Sequence, residues 1–206
     1  MMLDATSTIR GSAVPRPEPR PTMDTMLFTE RSIWTMIHGI VLGGGALLGL
    51  AAALFALGTA RVAVPATDPV ADATAAQARY LGWLTVFVAV SLWLTVLVGT
   101  YVSFPPYRAT PPEGVTDLAR YPRALLHSNP GTVWLHSFAM EIKEHVPWIA
   151  AMLASAVAFV SMRYGSRLLA DASLRRIAMT LLTACFAIVS IVSLLGVFIN
   201  KIAPLE

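Results

Sequence analysis

Trp134-Leu-His-Ser-Phe-Ala-Met-Glu-Ile-Lys-Glu-His-Val-Pro-Trp148 is the stretch on which the reading of this chain turns. It holds two of the four histidines, together with Glu141, Lys143 and Glu144, and leads directly into an apolar run. At about 100° per residue the helical period separates it into two unlike faces. Trp134, Phe138, Glu141, Ile142, His145, Trp148 and Ile149 share one side, while His136, Met140, Lys143 and Pro147 share the other. The aromatic character of the first face predicts that it turns into a core, carrying Glu141 and His145 with it. His136 and Lys143 are then expected to meet water, headgroups or a partner.

Outward from this stretch, the chain is apolar. Its 206 residues are 56% hydrophobic and 13% charged, with a mean hydropathy of +0.65. That is too apolar and too poor in charge for an ordinary soluble domain. The apolar residues gather into runs at about 36–58, 81–104, 146–162 and 177–199, of a length suited to about 30 Å of hydrocarbon. The expected architecture is all-α: a polytopic membrane protein with four transmembrane helices in an up-down bundle, and a charged helix leading into the third span. The transmembrane domain is expected over 29–204. Residues 1–28 read as a disordered tail built on Pro15-Arg-Pro-Glu-Pro-Arg-Pro21, which favours an extended chain. The tail lacks the apolar h-region of a cleavable signal, and Met23 and Met26 are alternative starts.

Local signals refine this outline. Thr29 suits an N-cap, with Glu30 in the first turn. Gly45-xxx-Gly49-xxx-Ala53 makes a small-residue stripe that lets another helix, or a flat cofactor, approach closely. Arg61 to Tyr80 reads as a polar connection, and Pro105-Pro106 as the stop of the second span. Trp83 and Tyr101 fit an aromatic belt. The hydroxyls of Thr85, Ser91, Thr95 and Thr100 can bond back to their helix or across to a neighbour. Asn129-Pro-Gly-Thr132 reads as a turn followed by an N-cap, and Pro147 as a kink.

Charge and cysteine content narrow the function. The net charge is +3, but the arginines flank apolar runs, where cations sit at the membrane edge, so nucleic acid is not an expected partner. Cys185 is the only cysteine, which excludes an intrachain disulfide and a CxxCH haem attachment. It reads as a small buried hydrophobe.

With four spans, parity brings the start of the first, the end of the second, the start of the third and the end of the fourth to one pole. His38, Tyr101, His136, Glu141, Lys143, His145, Asn200 and Lys201 belong to that pole. The opposite connection carries Arg163, Arg167, Arg175 and Arg176, and positive-inside reasoning places it in the cytoplasm, with the histidine pole outside. His38 and His145 are the candidate metal ligands, as axial imidazoles of a b-type haem. Glu141, one turn before His145, is placed to accept a hydrogen bond from its free ring nitrogen, or a proton from a quinol. Tyr101 completes the candidate cofactor-binding set. The plainer alternative is that these residues hydrogen-bond across the bundle. A di-metal carboxylate centre needs Glu-x-x-His on two helices, whereas Glu-x-x-x-His occurs here once. Hydrolase, phosphate-loop and dinucleotide motifs are absent.

In helix count, and in His38, His136, Glu141 and His145, the chain resembles small bacterial four-helix integral membrane proteins, among them b-haem-bearing and quinone-reactive subunits of respiratory complexes. The run WLHSFAMEIKEHVPW is also similar to a stretch from an uncharacterised bacterial membrane family. The resemblance implies a multi-pass protein of the bacterial inner membrane, with the lipid bilayer and other membrane subunits as partners. It implies an electron-transfer role with haem b or quinone at the histidine pole. The alternative is a non-catalytic accessory subunit that stabilises a larger membrane complex. A stand-alone enzyme is not expected. A small transporter is disfavoured because no span is broken or charged near its middle.

Overall fold

The computed structural model describes residues 29–60 and 70–203. The expected disordered tail lies outside the described residues. Within them every element is helical and there is no strand. Four helices are long and apolar enough to cross a membrane: α1 (Glu30–Gly58), α2 (Ala73–Tyr107), α4 (Leu135–Tyr164) and α6 (Ala172–Ile202). Two short helices, α3 (Pro122–His127) and α5 (Ser166–Ala170), lie in the connections. The long helices run 29, 35, 30 and 31 residues. At about 1.5 Å per residue each exceeds about 30 Å of hydrocarbon, so their ends reach headgroup depth.

Helix boundaries follow the local chemistry, with corrections to the expected ones. Thr29 Oγ1 accepts from the Ser32 amide at 3.1 Å, as an N-cap should. Asp171 caps α6 in the same way, accepting from the amides of Ser173 at 2.8 Å and Leu174 at 3.1 Å. Thr132 is not a cap: its hydroxyl donates to the carbonyls of Leu126 at 2.9 Å and Asn129 at 3.1 Å. The turn before it is closed by the Asn129 side chain, which accepts from the Gly131 amide at 2.8 Å. Helix is already present from Val70, so the polar connection ends well before Tyr80. Pro105 and Pro106 do not stop α2. They occupy the start of its last turn, Phe104–Tyr107, where a missing N–H is tolerated.

α2 and α6 each pack against both α1 and α4. The shared core is built from small and medium side chains, including Ala46, Leu50, Ala53, Val88, Ala150, Ala154 and Leu182. A Cβ at Gly49 would stand 2.7 Å from Val88 Cγ2, so the small-residue stripe of α1 serves close packing on α2. Cys185 is buried, its Sγ 3.5 Å from the Ala150 carbonyl. Trp93 Nε1 donates to Ser155 Oγ at 2.9 Å, joining α2 to α4. The hydroxyls of Thr85 and Thr95 instead turn back to the carbonyls of Gly82 at 2.8 Å and Ser91 at 2.7 Å.

The outer surface is apolar. Leu48, Phe55 and Phe159 are 75%, 74% and 69% exposed. In water such a surface is an aggregation hazard; against lipid tails it costs nothing.

Three of the long helices contain a π-helical segment: Ile37–Gly44 in α1, Gly99–Ser103 in α2 and Leu135–Met140 in α4. Such segments widen the helix by one residue per turn and recur at functional sites. Here they carry His38, Gly99 and His136, whose neighbourhood is one end of the molecule.

Candidate functional site

The polar end is defined by contacts between helices. The His38 ring leaves the π segment of α1 and lies against Gly99 in the π segment of α2. A Cβ at Gly99 would stand 2.7 Å from His38 Cε1 and 3.3 Å from Nδ1. Lys143 of α4 reaches α6 in a parallel way, since a Cβ at Gly196 would stand 2.8 Å from Nζ. Two glycines therefore leave room for two polar side chains between helices. Lys143 is near enough to act electrostatically on His38.

Both half-buried groups are under-partnered among the described residues. His38 Nδ1 is buried without a hydrogen bond among the described residues, although its ring lies beside the Thr95 backbone. No hydrogen bond or ion pair with a described residue engages the Lys143 ammonium. Leaving a buried donor or charge uncompensated is costly, and ionisable groups at membrane depth are functional candidates by default.

A second cluster lies nearer the helix ends. Tyr107, only 6% exposed, has its hydroxyl 2.7 Å from His136 Nδ1. The His127 ring stands 4.5 Å from the His136 ring. Beneath them, Leu126, Leu135, Ala139, Met140 and Ile199 form a small core with Tyr107. Arg31 of α1 fastens both the long connection and the end of α2, donating to the carbonyls of Arg120 at 3.4 Å and Pro106 at 3.3 Å.

The expected facing of the charged helix is reversed. His145 is 73% exposed at its side chain and Glu141 62%, with 3.8 Å between Nδ1 and the carboxylate. His145 Nδ1 also donates to the Glu141 carbonyl of its own helix at 2.9 Å. Trp134, Phe138 and Ile149 are likewise 47%, 60% and 47% exposed. Ile142 and Trp148 of that face are half-buried, Trp148 packing edge-on to Trp93 with ring centroids 5.8 Å apart. Tyr101 is 70% exposed, and Tyr107 is the tyrosine that faces the interior. Of the four expected cofactor residues, His38 alone points inward. The structure does not bring His145 or Tyr101 to it.

The physical reason is the solvent. Against lipid an aromatic face belongs outside, and a helix hides its polar side from the tails. The inward facing continues the buried stripe of the same helix. The buried positions Ala150, Ala154, Val157 and Ser161 of α4, counted back in steps of three and four, reach Pro147, Lys143, Met140 and His136. The π segments and the clearances at Gly99 and Gly196 have no comparable signature in the sequence.

Among the described residues, no three His, Cys, Asp or Glu side chains converge as a metal centre. A cleft of about 510 Å³ lined by Tyr164, Arg167, Ala170, Asp171 and Leu174 opens at the other end of the molecule. No protein-family model, curated protein or solved structure matches the chain.

Proposed function

We propose that this protein is an integral membrane subunit serving electron transfer, with its four spans alternating in direction, and that it holds the carbonyl headgroup of a quinone between His38 and Lys143. The carrying observation is that a buried imidazole nitrogen, His38 Nδ1, and the Lys143 ammonium enter from α1 and α4, neither with a hydrogen bond among the described residues. A quinone carbonyl accepts hydrogen bonds from both kinds of donor. The lysine is placed to offset the negative charge that a carbonyl oxygen gains on reduction. The electrons come from a partner subunit. Were a b-type haem held here instead, His38 would be a ligand to its iron. In that case the outward His145 leaves His136 as the other inward imidazole of the charged helix.

A second reading is favoured by a different observation. Glu141 and His145 are an exposed polar pair on an otherwise aromatic outward face. An ionisable pair has little reason to face lipid tails, and an accessory subunit packed against a larger complex gives it a polar partner.

Solvent extraction of the full chain purified in mild detergent, together with a reduced-minus-oxidised visible spectrum, separates these readings. Co-purifying quinone is expected. It should fall at least about tenfold in His38→Leu and Lys143→Met, equivalent to about 1.4 kcal/mol of binding, with helical content unchanged. A haem band lost in His38→Leu would transfer the site to haem. With neither quinone nor haem, the electron-transfer reading is lost and the accessory one stands.

A further inference from the structure

The Tyr107–His136–His127 cluster is not used by the quinone reading, and its surroundings are strongly basic. Arg108 and Arg123 both lie near enough to act electrostatically on His136 and on Glu144, and Arg123 acts on Tyr107 as well. Neither guanidinium forms a side-chain hydrogen bond or ion pair with a described residue. Arg108 merely lies over the Phe104 ring, 5.4 Å from its centroid. Glu144 is the acid that feels both arginines, and it is not within ion-pair distance of either. Two guanidiniums and two neighbouring imidazoles therefore face two carboxylates, Glu144 and the exposed Glu141, neither of them ion-paired to an arginine among the described residues.

We propose that His127, His136, Arg108 and Arg123 form a binding site for a phosphate-type oxyanion. The planar fork of arginine matches the oxygens of a phosphate, and two unpaired forks beside imidazole donors are the usual composition of such a site. The Tyr107 hydroxyl engages Nδ1 of His136, which leaves Nε2 of that ring for a ligand. Depth agrees with this chemistry. Tyr107 is the last residue of α2 and His136 lies in the first turn of α4, so the cluster stands at headgroup level. A lipid headgroup and a free phosphate present the same oxygens, and the proposal holds whether or not a quinone occupies the interior.

The test uses the full chain in a neutral detergent, with ligand binding followed by native mass spectrometry. Phosphatidylglycerol should bind at least about tenfold more tightly than phosphatidylcholine. An R108Q/R123Q double variant should abolish that preference, whereas R163Q/R167Q, at the other end, should keep it. His127→Gln, a milder change, should weaken the preference with helical content intact. If millimolar inorganic phosphate displaces phosphatidylglycerol, the site takes free oxyanions. If it does not, the headgroup is the ligand. Equal binding of the two lipids, or a preference that survives R108Q/R123Q, would overturn the proposal.

Discussion

Lys143 and His145 are two positions apart and have opposite surroundings, because two residues of an α-helix are separated by about 200°. Lys143 reaches across to α6, while His145 stands outside the molecule and bonds to its own helix. The same split governs the two histidines of this helix. His136→Ala removes the partner of the Tyr107 hydroxyl, which is then left buried and unsatisfied at a cost of about 1–3 kcal/mol. His145→Ala removes an exposed side chain and should stay within about 0.5 kcal/mol. Thermal unfolding in detergent checks this order; a larger loss at position 145 would contradict it. Residue types at this pole were legible in the sequence, which singled out His38, His136, Glu141, Lys143 and His145. Their direction was not, because a face rich in tryptophan and phenylalanine has the same periodicity whether water or lipid surrounds it. Tyr107 was missed because it follows two prolines that read as the end of a helix.

At the scale of elements, the four apolar runs were legible because a span needs about 20 apolar residues in succession and little else competes with that pattern. The ends of the helices extend beyond those runs, since polar residues continue a helix into the headgroup zone. The π segments were not legible: a widened turn arises from how neighbouring helices pack, as with His38 beside Gly99. Cross-helix hydrogen bonds are similarly hidden. Trp93 on α2 and Ser155 on α4 are 2.9 Å apart in such a bond. Ser155 also donates to the Ala151 carbonyl at 2.8 Å, so it has an alternative when Trp93 is lost. A double-mutant cycle with Trp93→Phe and Ser155→Ala should therefore give a coupling of about 0.6 kcal/mol, the usual size in membrane bundles, and not above about 1.7 kcal/mol. A coupling of zero would show that the bond is not formed in the bilayer.

For the whole molecule, polarity is arranged as lipid demands. Bulky residues such as Leu48, Phe55 and Phe159 point outward, small ones such as Ala46, Ala53 and Ala154 fill the core, and polar side chains collect inside one end. At that end His38 of α1 lies against Gly99 of α2, and Lys143 of α4 against Gly196 of α6. The most direct test of this arrangement is a nitroxide scan of positions 136–149 in a Cys185→Ala background, reading oxygen accessibility in liposomes. Oxygen collisions should peak at 138, 141, 145 and 149 and fall to minima at 136, 140, 143 and 147. Maxima at 136, 140, 143 and 147 would turn the charged helix around and remove Lys143 from the site.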